Sequence, residues 1–132
     1  RGSRMPASHE SVDQSLHFDR LEGSAVYKNA IAQIVLLVNE SLARCNLAMD
    51  DVSMIIPHQM NARIIESAAK HLSIPLDKIF INLDQYGNTS GATIPMAIDQ
   101  AKREGKIETG DLVCLVAFGG GMTWASALVR WR

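Results

Sequence analysis

Met54-Ile55-Ile56-Pro57-His58-Gln59-Met60-Asn61 is the stretch from which the fold is read. The β-branched, apolar run over residues 52–56 predicts a buried strand. Pro57 is expected to end its ladder, because proline has no backbone donor. A helical pattern begins near Asn61, so His58 stands at the C-terminal mouth of the strand. In open α/β sheets that edge is where ligands bind and chemistry is placed. A histidine there also reads as a hydrogen-bonded strand end, and His58 alone does not separate the two.

Upstream, apolar residues recur at Tyr27, Ile31, Ile34, Val35, Val38 and Leu42, which predicts a helix over residues 26–44. It opens at Glu22-Gly23-Ser24, with Ser24 as the expected N-cap. Leu36 and Leu37 add apolar surface on other faces, so more than one side of this helix is expected to be covered. Before it, Leu16-His17-Phe18-Asp19 reads as a short strand or an extended lead-in. Arg1-Gly2-Ser3-Arg4 ahead of Met5 reads as a tag remnant. The polar stretch from Pro6 to residue 15 reads as a flexible lead-in, which leaves 16–132 as the domain.

Downstream, the pattern predicts a helix over residues 61–72. Ile65, Ala68, Ala69 and Leu72 lie on one face, with Arg63, Glu66 and Lys70 opposite. A strand over 78–83 follows, then a turn. A third helix over 90–104 is capped by Thr89 or Ser90, with Pro95 near its start, where proline is tolerated. Gly105 ends that helix. Two last strands, 112–118 and 122–131, are joined by Gly119-Gly120-Gly121 and predict an antiparallel hairpin. Strands alternating with helices imply a sheet with parallel members and helices on both faces. The fold class is α/β with a mixed sheet.

The composition narrows the function. The chain has 132 residues, 47% of them hydrophobic and 20% charged, and a formal net charge of −1. That is a single globular domain with no global basic footprint for nucleic acid or an anionic membrane. No apolar run reaches the ~18–20 residues of a membrane span. The two cysteines, Cys45 and Cys114, suggest neither a disulfide framework nor a metal cluster, so a reducing cytoplasm is the default compartment. His9, His17 and His71 have no partner at metal-ligand spacing, and no zinc site is read.

Three groups remain that could carry chemistry. Gly87-Asn88-Thr89-Ser90-Gly91-Ala92 joins a strand to a helix start, as the loop after Ile56 does. It is a tight turn with a helix cap. It also places the Asn88 amide where it could converge with His58 on a developing oxyanion or enolate. Gly119-Gly120-Gly121 lacks the Lys-Ser/Thr of a nucleotide-binding loop. It serves as a hairpin, as a close backbone donor to a carbonyl, or as both. Cys114 lies among Val113, Leu115 and Val116, which predicts an inert buried thiol rather than a nucleophile.

Taken together, Pro57-His58-Gln59-Met60-Asn61, Tyr86-Gly87-Asn88-Thr89-Ser90-Gly91-Ala92, Gly105-Lys106-Ile107 with Gly110-Asp111, and Phe118-Gly119-Gly120-Gly121-Met122-Thr123-Trp124 closely resemble one family. It is the β-ketoacyl-[acyl-carrier-protein] synthase III enzymes of type II fatty-acid synthesis. The resemblance runs from about Leu16 to Trp131, with Gly91 departing from the more usual alanine. It implies a thiolase-like fold of two similar halves in a dimeric enzyme, of which this chain is the C-terminal half. The family's nucleophilic cysteine belongs to the other half, and nothing here matches its surroundings.

By resemblance, the whole enzyme is acylated from acyl-CoA and condenses that acyl group with malonyl-acyl carrier protein, releasing CO₂. His58 and Asn88 match the catalytic pair, and Gly120 the glycine whose backbone N–H shares the oxyanion hole. Asn61 matches a pantetheine-channel residue, and Arg63 and Lys70 match basic positions where the carrier protein docks. The isolated chain is then expected to be inactive and to self-associate through surface meant for its missing half. Two other readings stay open: a non-catalytic partner that keeps the carrier-protein surface, and a relative making secondary metabolites by acyl transfer.

Overall fold

A computed structural model of the chain describes residues 4–17 and 22–132. The element order is α1 (His9–Asp13), α2 (Gly23–Arg44), β1 (Met54–Pro57), α3 (Ala62–Leu72), α4 (Leu83–Tyr86), α5 (Thr93–Arg103), β2 (Leu112–Gly119) and β3 (Thr123–Arg130). The three strands form one sheet in the order β1-β2-β3. β1 pairs with β2 in parallel, and β2 with β3 antiparallel. The mixed α/β sheet expected from the alternation of periods is present.

Helices cover both faces. On one side Ala30, Ile31, Ile34, Val38 and Leu42 of α2 pack with Ile64, Ile65, Ala68 and Ala69 of α3 against Ile55, Cys114 and Val116. On the other side Ala97 and Ala101 of α5 pack with Met54, Ile56 and Val113. The side chains of β1 therefore divide between two cores, as the period of two along a strand requires. All four residues of β1 are buried.

Several boundaries differ from those read in the sequence. Ser24 lies inside α2, whose N-cap is Glu22, with no side-chain capping bond. Leu16 and His17 form part of a turn rather than a strand, and Phe18 and Asp19 lie outside the described residues. The lead-in contains α1, where Ser8 and Ser11 cap each other reciprocally. α2 buries one face, while Val35 and Leu37 are partly covered and Leu36 is exposed.

β1 ends at Pro57, as expected, but not because a ladder donor is missing. Pro57 pairs with Val116, and the His58 N–H donates to the Val116 carbonyl at 2.8 Å. Backbone groups alternate sides along a strand, and the Ile55 carbonyl accepts from Phe80 on the side away from β2. The donor Pro57 lacks is on that same outer side, so the β1–β2 ladder loses nothing.

The strand expected over 78–83 shrinks to a single bridge between Ile55 and Ile79. A short 3₁₀ turn, Leu76–Lys78, precedes it, and α4 follows. The ladder cannot continue because a side chain occupies its place. Buried Gln59 donates to the Phe80 carbonyl at 3.1 Å and accepts from the Asn82 N–H at 3.1 Å. Its amide copies the donor and acceptor of a peptide group. The helix expected over 90–104 is likewise divided, into a 3₁₀ turn Ser90–Ala92 and then α5, with Pro95 in its first turn.

Candidate active site

β1 brings His58 to the C-terminal edge of the sheet. The imidazole is half-buried, and burial, which penalises the charged ring, lowers its pKa below the ordinary 6.5. The neutral ring therefore predominates at pH 7. Its Nδ1 lies 2.5 Å from the Thr93 hydroxyl, at the start of α5. Thr93 is itself buried, so this contact anchors the ring to the helix on the opposite side of the site.

Asn88 sits in the loop between α4 and the 3₁₀ turn. Its side-chain oxygen accepts the Ser90 N–H at 2.9 Å, an Asx turn of the kind that Asn stabilises. The loop thus turns as expected, but the cap expected of Thr89 or Ser90 is not made: the N-cap of α5 is Ala92, and Thr89, which precedes the 3₁₀ turn, makes no side-chain capping bond. With the amide oxygen held by the backbone, the NH₂ end of Asn88 remains to donate elsewhere.

His58, Asn88 and Gly120 line one cavity of about 540 Å³. Ser90, Thr93, Ile94 and the β2–β3 hairpin complete its walls. On the hairpin, Phe118 and Trp124 are cross-strand partners whose rings stack at 6.4 Å and 5°. Gly121 and Met122 take positive φ in the turn, whereas Gly120 does not, and a Cβ on Gly120 would meet nothing within 4 Å. Neither the backbone conformation nor the chain's own packing therefore requires a glycine at position 120. An imidazole and an amide on a largely apolar cavity, with a bare glycine beside them, can stabilise negative charge developing on a bound carbonyl oxygen.

The other sequence-predicted residues lie elsewhere. Asn61 is the N-cap of α3, its side-chain oxygen accepting the Arg63 N–H at 2.9 Å. Arg63 and Lys70 lie on the exposed face of α3. None of the three lines the cavity. Cys114 is fully buried and its thiol is pushed up to about 11 by desolvation, which excludes a thiolate nucleophile at neutral pH. Among the described residues no group of three or more His, Cys, Asp or Glu could hold a metal ion. No helix is long and apolar enough to cross a membrane.

Residues 42–131 match the family model for 3-oxoacyl-[acyl-carrier-protein] synthase III, C terminal. The chain belongs to this family. The β-ketoacyl-[acyl-carrier-protein] synthase III of Caldanaerobacter subterraneus is 51% identical over 130 residues, and that of Roseiflexus castenholzii 43% identical over the same length. Each match takes in 98% of this chain and 39% of the relative, so the chain spans about two fifths of these synthases. Most of the first fifteen residues fall within the match. Among solved structures, the synthase III of Thermus thermophilus superposes with a TM-score of 0.83 at 39% identity, over 86% of this chain and 35% of its own. That of Pseudomonas aeruginosa gives 0.86 at 32%, over 96% and 40%. The synthase III fold is thiolase-like, as the sequence resemblance implied.

Two residues that hold His58 and its surroundings escape the sequence reading: Thr93 reads there only as part of a helix start, and Gln59 only as part of the motif around His58. A hydroxyl three residues after Ser90 is a recognisable helix-start feature. That it meets an imidazole 35 positions away is visible only in three dimensions.

Proposed function

We propose that this chain is the C-terminal domain of a β-ketoacyl-[acyl-carrier-protein] synthase III and supplies the decarboxylation side of its condensing site. The reading rests on one observation above all: His58, Asn88 and Gly120 line a single cavity. In this mechanism malonyl-carrier protein enters with its thioester carbonyl oxygen between the His58 N–H and the Asn88 NH₂. The malonyl carboxylate leaves as CO₂. The electron pair of the broken C–C bond forms the enolate, whose oxygen both donors stabilise. The enolate carbon then attacks the acyl thioester carried by the cysteine of the other half, and the cysteine sulfur departs as thiolate. The Gly120 backbone N–H assists at that carbonyl's oxyanion.

A neutral His58 is compatible with this role, because the neutral ring still carries one N–H that can donate to the oxygen. Asn61 is assigned to the pantetheine channel, and Arg63 and Lys70 to docking of the acidic carrier protein, from an exposed face that leaves both side chains accessible. Acyl-CoA is the acyl donor to the complete, cytoplasmic enzyme. The 132-residue chain alone forms no ketoacyl product, because Cys114 is buried and the exposed Cys45 does not line the cavity that holds His58, so neither thiol can serve as the acyl-enzyme there.

The test combines this chain with a separately produced N-terminal half. His58→Ala and Asn88→Ala should each slow malonyl-carrier-protein decarboxylation by about 10²–10³-fold, the usual cost of one oxyanion donor, while cysteine acylation continues. Normal decarboxylation by both variants would return His58 and Asn88 to structural roles.

A further inference from the structure

Neutral imidazole exists as two tautomers, and only one of them can donate from Nε2. His58 engages Nδ1 with the Thr93 hydroxyl at 2.5 Å, and its Nε2 has no hydrogen-bond partner among the described residues. The Thr93 hydroxyl carries one hydrogen and has two acceptors within reach. One is His58 Nδ1. The other is the Ser90 carbonyl at 3.1 Å, the longer contact. That carbonyl already accepts the backbone N–H of Thr93. It is satisfied without the hydroxyl, whereas Nδ1 has no other partner among the described residues.

We infer that the Thr93 hydroxyl donates to Nδ1 of His58 and so holds the ring as its Nε2–H tautomer, which makes Thr93 a positioning residue for the donor. This rests on the reading of His58 as an oxyanion donor, since a ring protonated on Nδ1 would offer the cavity an acceptor instead. Geometry supports the assignment from both ends. Thr93 is buried, and its backbone is fixed where the 3₁₀ turn Ser90–Ala92 passes into α5. His58 is fixed by its N–H bond to Val116. Both backbones are thus held where the two side chains meet. The same short segment carries Asn88, whose oxygen holds the Ser90 N–H. One turn of backbone thus orients both proposed donors: Ser90 sets the Asn88 amide, and Thr93 sets the His58 ring.

The test reads the tautomer directly. Long-range ¹H–¹⁵N correlation spectra of the ¹⁵N-labelled chain at neutral pH distinguish Nδ1–H from Nε2–H rings, and a His58→Gln variant identifies the signals of His58. The wild type should show His58 as the Nε2–H form. Thr93→Ser keeps a hydroxyl and should keep that tautomer. Thr93→Val keeps the shape without the donor and should move the ring nitrogens towards a mixture of forms. A wild-type His58 protonated on Nδ1 overturns the inference, as does a folded Thr93→Val chain with an unchanged tautomer. Should Thr93→Val not fold, the wild-type and Thr93→Ser spectra decide. With the complementary half added, Thr93→Val should slow decarboxylation roughly tenfold or more, within the loss expected for removing the donor itself, and Thr93→Ser should restore it. If His58→Ala decarboxylates normally, the function proposed for His58 fails while the tautomer result stands on its own spectrum.

Discussion

Gln59 accepts the backbone N–H of Asn82 on its side-chain oxygen at 3.1 Å, across 23 positions of chain. The same amide donates to the Pro57 and Phe80 carbonyls, and Gln59 is 1% exposed. Asn82 continues the network to Gln100 of α5 at 2.9 Å. The residue beside His58 is therefore tied to the segment leading to Asn88 and to the helix that carries Thr93. Gln59→Leu should destabilise the fold, because each buried group left unsatisfied costs about 1–3 kcal/mol. Urea unfolding of both chains measures it. A loss below about 0.5 kcal/mol, the range of an ordinary surface change, would mean that the amide bridge is dispensable.

The depressed pKa of His58 predicts how stability depends on pH. The unfolded ring titrates near 6.5 and the folded ring lower, so between those values the unfolded chain binds more protons. The stability associated with a neutral His58 is complete above pH 6.5 and declines as pH falls towards the folded pKa. Asp111 has the opposite kind of group and a separate window. The Glu108 N–H, then Ser53, holds its carboxyl below 3.8, so its contribution is lost only below that value. Thermal midpoints of the wild type and His58→Gln should therefore draw together as pH falls below 6.5. Parallel curves from pH 7 to 4.5 would show that burial of His58 carries no proton linkage.

Two glycines should respond differently to alanine. Gly87 has φ +67° and ψ −163°, a region only glycine occupies comfortably, so Gly87→Ala should cost about 1–3 kcal/mol even though a Cβ has room there. Gly120 has neither positive φ nor a neighbour within 4 Å of its Cβ position. Gly120→Ala should therefore fold with stability within about 0.5 kcal/mol of wild type, yet place a methyl on the cavity wall and reduce condensation in the reconstituted enzyme. An unaltered condensation rate would remove Gly120 from the site.

Self-association is the expected solution behaviour of the isolated chain. Leu36 on α2 and Met122 and Trp124 at the hairpin are 46%, 47% and 46% exposed. β3 is an edge strand, and a groove of about 520 Å³ runs between it and the end of α2, lined by Leu37, Trp124 and Leu128 among others. An uncovered edge beside apolar side chains invites another copy. Sedimentation velocity at micromolar concentration should show dimers or larger species. A monomer across that range would show that this face is satisfied by solvent alone.

The sequence by itself determined the fold class and pointed to three residues, His58, Asn88 and Gly120, that the structure brings to one cavity. Period and composition are local properties, so the buried strand, the amphipathic α3 and the closing hairpin were legible residue by residue. The resemblance carried by the His58, Asn88 and Gly120 motifs identified the family that the comparison then established. What failed was the extent of elements whose limits depend on a distant partner. The strand over 78–83 has strand composition, yet Gln59 fills the place of its neighbour. Pro57 does end β1, but its missing donor faces away from β2, so the reason expected for that end does not hold. Ser24 is a good cap residue, and the chain enters α2 two residues too early to use it. Only the tertiary structure decided that Asn88 spends its oxygen on Ser90, and that Thr93 reaches His58. Both are hydrogen bonds whose partners are chosen by where the backbone delivers them, and residue type alone does not encode that delivery.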